Sequence, residues 1–246
     1  MRVKLIFDSD ELIYLPNSYN KIIQGFLYSH ASEEFIKKVH DGGVNYENRY
    51  YKMFTFSRIL CRKFEKIESG FNFYPPFTLI FSSILDDFVK DVIEGILKDK
   101  NLRLGQNENL RLIKLSSEQY LDFKNKIKIE MLSPMTIYST FEIEGGKKHT
   151  HYYNPVEKEF SNQINNNAVR KFEAYYDKKY SGKGIEIKPI NLDEKKNKNI
   201  IMYHGGAIVG WDGIYKLKGD SELIKITYDT GLGSKNSQGF GCWKKI

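Results

Sequence analysis

Cysteine is nearly absent: of 246 residues only Cys61 and Cys242 carry a thiol, far apart and each inside an apolar or aromatic run. That excludes a disulfide framework and a cysteine-based metal site, and it suits a reducing cytoplasm. Long apolar runs are missing too, since none approaches the roughly 18 residues of a membrane span. The basic start, Met1 to Asp8, has no apolar stretch of the kind a secretory leader needs. Secretion and membrane insertion are therefore not expected. What is present is a core-forming composition. Hydrophobic residues make up 41% of the chain and charged residues 28%, with both signs interspersed, which argues against a disordered or collagen-like polymer. The balance of 38 Lys+Arg against 31 Asp+Glu leaves a formal charge of +7. This permits a polyanionic partner and is equally compatible with a solvated cationic surface.

Hydrophobic spacing organises the chain into two similar halves. Tyr19, Ile22, Ile23, Phe26, Leu27 and His30 recur at helical intervals, predicting a helix over Asn17 to His30. A short helix, Ser32 to Val39, follows. Met53 to Lys66 and Phe71 to Ser82, separated by Ser69-Gly70, read as a strand pair whose second member is interrupted at Pro75-Pro76. A periodic helix from Ile84 to Leu97 and a strand at Leu110 to Leu115 close the half. The second half gives a strand at Lys126 to Leu132, extended segments over Met135 to Glu144, and a helix from Pro155 to about Tyr176 with Phe160, Ile164, Ala168 and Phe172 on one side. Strands at Ile185 to Ile190, Ile200 to Val209 and Ile214 to Leu217, a helix over Asp220 to Thr230 and a strand at Gly239 to Lys244 complete it. The expectation is an α+β protein of two tandem ferredoxin-like (RRM-like) βαββαβ domains, spanning 1–118 and 119–246. The polar runs 145–149 and 193–199 are read as exposed hairpin tips, either solvated surface or nucleic-acid contacts.

Glycine is concentrated near the C-terminus, where Gly231-Leu232-Gly233 and Gly239-Phe240-Gly241 bracket Ser234, Lys235, Asn236, Ser237 and Gln238. A dinucleotide fingerprint would have a third glycine where Asn236 stands, and would open a helix instead of following one. A P-loop would end in Gly-Lys-Ser or Gly-Lys-Thr, which is missing. Two readings survive. The glycines can serve helix termination and close packing, or they can leave the backbone and its polar side chains open to phosphates. The donor-rich set Ser234, Lys235, Asn236, Ser237 and Gln238 favours the second reading, a loop that cradles RNA through Gly231, Gly233, Gly239 and Gly241.

This loop resembles the C-terminal signature of the CRISPR-associated endoribonucleases of family six, a branch of the repeat-associated RNA-binding (RAMP) superfamily. Leu15-Pro16 with Tyr19, Gln24 to Tyr28 and Lys52-Met53-Phe54-Thr55-Phe56-Ser57 resemble that family's N-terminal blocks. Leu132 to Met135, Tyr153-Asn154-Pro155 with Glu159-Phe160, and Tyr228 to Ser237 resemble its C-terminal ones, so the match is collinear over nearly the whole chain. The resemblance implies two ferredoxin-like domains and cleavage of precursor CRISPR RNA within its repeats. It further implies that no metal or other cofactor takes part, that the ribose 2′-hydroxyl is the nucleophile, and that the ends are a 2′,3′-cyclic phosphate and a 5′-hydroxyl. Partners so implied are CRISPR repeat RNA, precursor and processed, and other CRISPR-associated proteins of an interference complex. The chain is expected as monomer or homodimer, with no membrane.

By position the resemblance implies Tyr28, His40 and Lys52 as the catalytic set. Imidazole can relay protons near neutral pH and an ammonium can offset charge on a phosphorane. His30 is the rival histidine. At about 100° per residue from Tyr19, His30 falls at about 20°, inside the apolar stripe, whereas Tyr28 falls at about 180° and faces away. His40 runs into Asp41-Gly42-Gly43, a loop able to present it. The stretch Asn45 to Tyr51 makes the spacing from His40 to Lys52 longer than the family pattern. Competing functions are a non-catalytic CRISPR RNA-binding subunit and a metal-dependent nuclease using Asp8, Asp10, Asp86 and Asp87. Asp86 and Asp87 are accounted for as the solvated face of a helix, and His149 and His151 as a hairpin rim without an acidic partner.

Overall fold

The computed structural model describes residues 1–47, 49–118, 122–143, 145–203 and 206–246, with the side chains of 38, 40, 41 and 143 outside that description. In the first half, β1 (Arg2–Asp8), α1 (Asn20–Ser29), β2 (Phe54–Phe56), β3 (Phe77–Ser83), α2 (Asp86–Lys98) and β4 (Arg111–Ser117) succeed one another. Their antiparallel strands lie side by side in the order β4-β1-β3-β2. The second half supplies β5 (Lys126–Met131), α3 (Lys158–Tyr176), β6 (Ile185–Ile190), β7 (Ile214–Gly219), α4 (Ser221–Thr230) and β8 (Trp243–Lys245), with the sheet order β6-β7-β5-β8. Both are the ferredoxin-like arrangement, in which the first and third strands are central and both helices cover one face. The chain is thus the α+β tandem that its element order predicts.

Alternation builds each sheet. Val3, Leu5 and Phe7 of β1 are buried while Lys4, Ile6 and Asp8 are half-exposed, so one face of the strand enters the core. Leu5 stands opposite Leu79 of β3 and Leu115 of β4, which fixes the register. Over this layer α1 places Ile23, Phe26 and Leu27, and α2 places Phe88, Val89, Val92 and Ile96. Phe7 meets Phe26 edge-on at 5.7 Å between centroids, and each fully buried ring of this kind contributes about 1.5–3 kcal/mol. In the second unit, Ile127 and Ile129 of β5 and Tyr215 and Leu217 of β7 face α3 and α4, and Trp243 of β8 closes the core.

The two units are bound by charge-assisted bonds as well as by packing. Arg2, only 3% exposed, reaches out of β1 to donate from Nη1 to the Tyr228 carbonyl at 3.3 Å and from Nη2 to the Trp243 carbonyl at 2.8 Å. Its Nε lies 3.0 Å from Glu118, and its guanidinium covers the Tyr228 ring. Ser82 of β3 also donates to the Tyr228 carbonyl. Carbonyls on α4 and β8 are therefore satisfied by side chains of the other unit.

Several local expectations change. The strand expected from Met53 to Lys66 is three pieces. Phe54–Phe56 and Leu60–Cys61 run along β3, whereas Phe64–Lys66 folds back on Gly70–Phe73 in a small sheet with Ile13–Pro16. Hydrophobic content alone does not reveal such a change of partner. Ser32 to Val39 is one short helical turn, Glu33–Phe35, continuing as a wider π-helical segment Ile36–Gly42 that carries His40. Ile200 to Val209 is a hairpin, Lys198–Tyr203 against Gly206–Trp211, not one strand. The run 193–199 is not a hairpin tip: Asp193 accepts from the Lys195 and Lys196 amides and caps a helical turn, Glu194–Asn197. The run 145–149 does form the turn and first residues of a hairpin's return strand, Tyr138–Ile143 with Lys147–Tyr152. The last strand starts at Trp243, not Gly239, because Gly239 and Gly241 hold left-handed backbone. The expected domain boundary falls beside 119–121, outside the described residues.

Candidate nucleic-acid interface

The glycine-rich segment lies between the two units and is fastened to both. On the first unit, Asn20 of α1 donates to the Gln238 carbonyl at 3.0 Å, Gln24 to the Ser237 carbonyl at 2.7 Å, and Thr55 of β2 to the Phe240 carbonyl at 3.0 Å. On the second, the Ser234 amide donates to the Thr136 carbonyl at 2.8 Å. Two glycines are required by this packing. At Gly239, with φ of 82°, a Cβ would meet the Phe56 ring and the Asn20 amide; at Gly241, with φ of 78°, it would run into the Leu232 carbonyl.

A buried cation organises the inside of the loop. Lys171 of α3 is 3% exposed, and its Nζ donates to the Gly231 carbonyl at 2.8 Å, the Gly233 carbonyl at 3.2 Å and Asn236 Oδ1 at 2.6 Å. Asn236 in turn donates from Nδ2 to the Leu232 and Phe240 carbonyls, both at 3.0 Å. An ammonium has three N–H bonds and no lone pair, so three acceptors match it one for one. Burial alone pulls the Lys171 pKa down to about 7. In the sequence, Phe160, Ile164, Ala168 and Phe172 mark the apolar side of this helix. Asn167 and Lys171 fall on the same stripe, at seven and eleven residues from Phe160. A lysine on an apolar stripe is the one local signal that could have singled it out.

Outside the loop lies a cleft of about 790 Å³, walled by Lys52 to Phe54, the hairpin residues Tyr138 to Phe141, helix α3 and the loop. Its lining contains five cations, Arg49, Lys52, Arg170, Lys171 and Lys235, and no carboxylate among the described residues. Ser234 and Ser237 also line it, and the Lys235 Nζ sits 5.1 Å from the Tyr138 ring centroid. Burial raises the Tyr51 phenol pKa, against the pull of Arg49 and Arg170. Arg49, Tyr51 and Arg170 carry no such mark in the sequence; they come from separate segments that only the fold assembles.

The sequence-predicted residues divide as follows. Lys52 is in the cleft, and its Nζ donates to the Gly42 carbonyl at 3.3 Å, two residues beyond His40. The His40 side chain lies outside the described residues. Tyr28 is half-buried, not outward and open, because the Phe54 ring meets it edge-on at 5.6 Å; Phe54 itself lines the cleft. Ser234, Lys235, Asn236 and Ser237 border the cleft, with the Asn236 amide turned inward. Gln238 is engaged through its backbone, its amide donating to the Lys235 carbonyl. Gly231 ends α4, and Gly233 bridges to Thr136. His30 is occupied: Nδ1 lies 2.7 Å from the Phe26 carbonyl and Nε2 3.1 Å from Asp99, so both nitrogens face acceptors. The Asn101 amide and then His30 lower the Asp99 pKa. His151 pairs with Glu157 at 3.1 Å, so the hairpin rim does have an acidic partner, brought to it from beyond the strand's end. Among the described residues no group of three or more His, Cys, Asp or Glu side chains is placed to hold a metal ion.

A second cationic surface covers the open face of the C-terminal sheet. Lys126 and Lys128 of β5, Lys216 and Lys218 of β7 and Lys188 of β6 all point away from the core. Lys126 stands opposite Lys218, and Lys216 is flanked by Lys128 and Lys188. Two carboxylates share this face: Glu186 is held 2.7 Å from Lys188, whose hydrogen bond lowers its pKa, and Glu130 lies 2.9 Å from Lys244. Directly opposed like charges cost stability in a sheet, and a polyanion would remove that cost. No helix among the described residues is long and apolar enough to cross a membrane.

Comparison with known proteins agrees with this architecture. Residues 116–245 match the family model of the CRISPR-associated protein Cas6 C-terminal part, and residues 15–114 match that of the Cas6 N-terminal part. Over 248 aligned residues the chain is 28% identical to the CRISPR-associated endoribonuclease Cas6 1 of Methanocaldococcus jannaschii, covering 98% of this chain and 91% of that one. Among solved structures it matches a Cas6-related protein from Pyrococcus furiosus with TM-score 0.85 and 23% identity, covering 100% of this chain and 98% of the other. It also matches a RAMP protein that binds different RNA substrates, with TM-score 0.83, 19% identity and coverage of 100% and 99%.

Proposed function

Because the chain belongs to the CRISPR-associated Cas6 family, we propose that it is an RNA-cleaving enzyme that cuts precursor CRISPR RNA within the repeat, without metal, by attack of the ribose 2′-hydroxyl. The observation that carries the RNA reading is the cleft to which Arg49, Lys52, Arg170 and Lys235 bring positive charge with no described carboxylate, bordered also by Ser234 and Ser237. Phosphates and ribose hydroxyls are the ligands such a lining suits. In the reaction the 2′-oxygen bonds to the adjacent phosphorus as its proton departs, the P–O5′ bond breaks, and the 5′-oxygen takes up a proton. His40 serves as general acid or base in one of those transfers, Lys52 offsets the charge growing on the phosphorane, and Tyr28 is the third member of the set. The products are a 2′,3′-cyclic phosphate and a 5′-hydroxyl. The N-terminal unit, 1–118, contributes the chemistry and the C-terminal unit, 119–246, contributes the loop that holds the RNA.

The test is incubation in EDTA with end-labelled repeat RNA from the host, beside a substrate with 2′-deoxyribose at the scissile position. A single cut that disappears with the deoxy substitution supports the proposal. Cleavage restored only by added divalent cation overturns the metal-free mechanism, and tight binding with no cut assigns the protein to a non-catalytic RNA-binding subunit.

A further inference from the structure

Lys171 is too buried to anchor RNA from solvent, and its three N–H bonds run to the glycine loop, which it holds from beneath. From the structure we infer that Lys171 is a positioning residue for RNA binding: through its hydrogen bonds to Gly231, Gly233 and Asn236 it fixes the loop backbone so that Ser234, Lys235 and Ser237 face the cleft. The inference rests on the RNA-cleaving function proposed above and adds a residue to it.

The geometry supports more than a packing role. A loop with five residues of positive φ, Gly231, Gly233, Lys235, Gly239 and Gly241, has several backbone states of similar energy available to it, and glycine widens the choice. Something must select one. Asn236 spans the loop's neck by bonding Leu232 and Phe240, which sit on either side of the polar tip. Its side-chain oxygen accepts from Lys171, so the neck, the two first glycine carbonyls and helix α3 become one network. From the opposite side Gln24, Asn20 and Thr55 bind carbonyls 237 to 240, each on an element next to a proposed catalytic residue: α1 carries Tyr28, and Thr55 follows Lys52 by three residues. The loop is therefore held between two clamps. The Lys171 clamp sets its glycine entry, and the α1 clamp sets its exit. Methionine at 171 would fill nearly the same volume and leave three acceptors without a donor, which frees the entry.

The test uses the full chain with Lys171→Met and, as the variant that keeps two N–H donors, Lys171→Gln. Amide hydrogen exchange is followed by residue, and steady-state cleavage of repeat RNA is measured. The expected result is faster exchange confined to 231–241, a KM raised about tenfold in Lys171→Met with kcat changed by less than about threefold, and partial recovery of KM in Lys171→Gln. Gln24→Ala, at the other clamp, raises KM in the same direction, and the double variant is non-additive because both act on one loop. Unchanged exchange in the loop, an unchanged KM, or a loss expressed in kcat alone overturns the inference. If Lys171→Met does not fold, Lys171→Gln against the unaltered chain decides by the same readouts. If the unaltered chain neither binds nor cuts repeat RNA, the proposed function fails, and loop exchange still tells whether Lys171 holds the loop.

Discussion

Burial of Lys171 has a measurable signature in stability against pH. An exposed lysine titrates near 10.5, whereas desolvation brings this one to about 7 in the fold. Between those values the unfolded chain binds more protons than the native one, so stability rises with pH across that window; below pH 7 both forms are protonated and the penalty is fully present. Integrating the two titrations from pH 7 to pH 9 gives a gain of about 2 kcal/mol in unfolding free energy from this single group. Hydrogen bonds from the charged ammonium to three acceptors act against desolvation, so they displace the window upward and reduce the gain. The perturbation is Lys171→Met and the assay is equilibrium urea unfolding of both proteins at half-unit steps over that range. Ionisation of other groups, including the half-buried Cys61 and buried Cys242 thiols whose pKa desolvation raises, cancels in the difference between the two proteins. The unaltered chain is expected to gain more than the variant between pH 7 and pH 9, with about 2 kcal/mol as the upper limit. Parallel curves would refute the assignment of a desolvated amine at this position.

Three further outcomes are expected. Replacing Lys126, Lys216 and Lys218 by alanine should flatten the dependence of repeat-RNA affinity on salt, the slope falling by about 0.7 for each phosphate left without its cation, and should raise the melting temperature at low salt by relieving opposed charges; an unchanged slope would remove this face from the RNA path. Gly239→Ala places a Cβ against Phe56 and Asn20 in left-handed backbone and should cost about 1–3 kcal/mol more in chemical denaturation than Gly145→Ala, which meets the same backbone strain at φ of 84° but no neighbour. His40→Ala should abolish cleavage and leave RNA affinity within a few fold, whereas His30→Ala, which breaks the hydrogen bond with Asp99, should lower the melting temperature and keep cleavage; the reverse pattern would exchange the two histidines.

Legibility of the sequence followed the range of the forces involved. Helices α1, α2, α3 and α4 and strands β5, β6 and β7 announce themselves because each buries one stripe at its own period, as Phe88, Val89, Val92 and Ile96 do in α2. Their order suffices for the tandem ferredoxin-like architecture. Segments whose partners change midway are not legible in this way: the stretch from Met53 to Lys66 is uniformly rich in aromatic and branched residues, but the choice of neighbour at Phe64 is set by Phe71 and Phe73 across a turn. The glycine loop can be recognised by spacing. Its inner construction cannot, since Lys171 lies 60 residues from Gly231 in the chain and looks like any helical lysine until its stripe is counted. Arg49, Tyr51 and Arg170 converge only through tertiary packing, and no local pattern marks them.

Arg2 gives the molecule a schedule as well as a shape. Its acceptors at Tyr228 and Trp243 stand 226 and 241 residues along the chain, so they leave the ribosome well after β3 and β4 have been made. During synthesis the strands of the first unit and Glu118, which pairs with the Arg2 Nε, are made before the Tyr228 and Trp243 carbonyls that complete the guanidinium's partners. Domain-by-domain folding is the usual course for a nascent chain, and here the final docking waits on the segment that also carries the glycine loop. A chain halted before residue 243 would lack the Trp243 carbonyl, leaving the Arg2 guanidinium with Glu118 and the Tyr228 carbonyl. Of the segments that wall the cleft, the glycine loop is thus made after Lys52, the hairpin and helix α3.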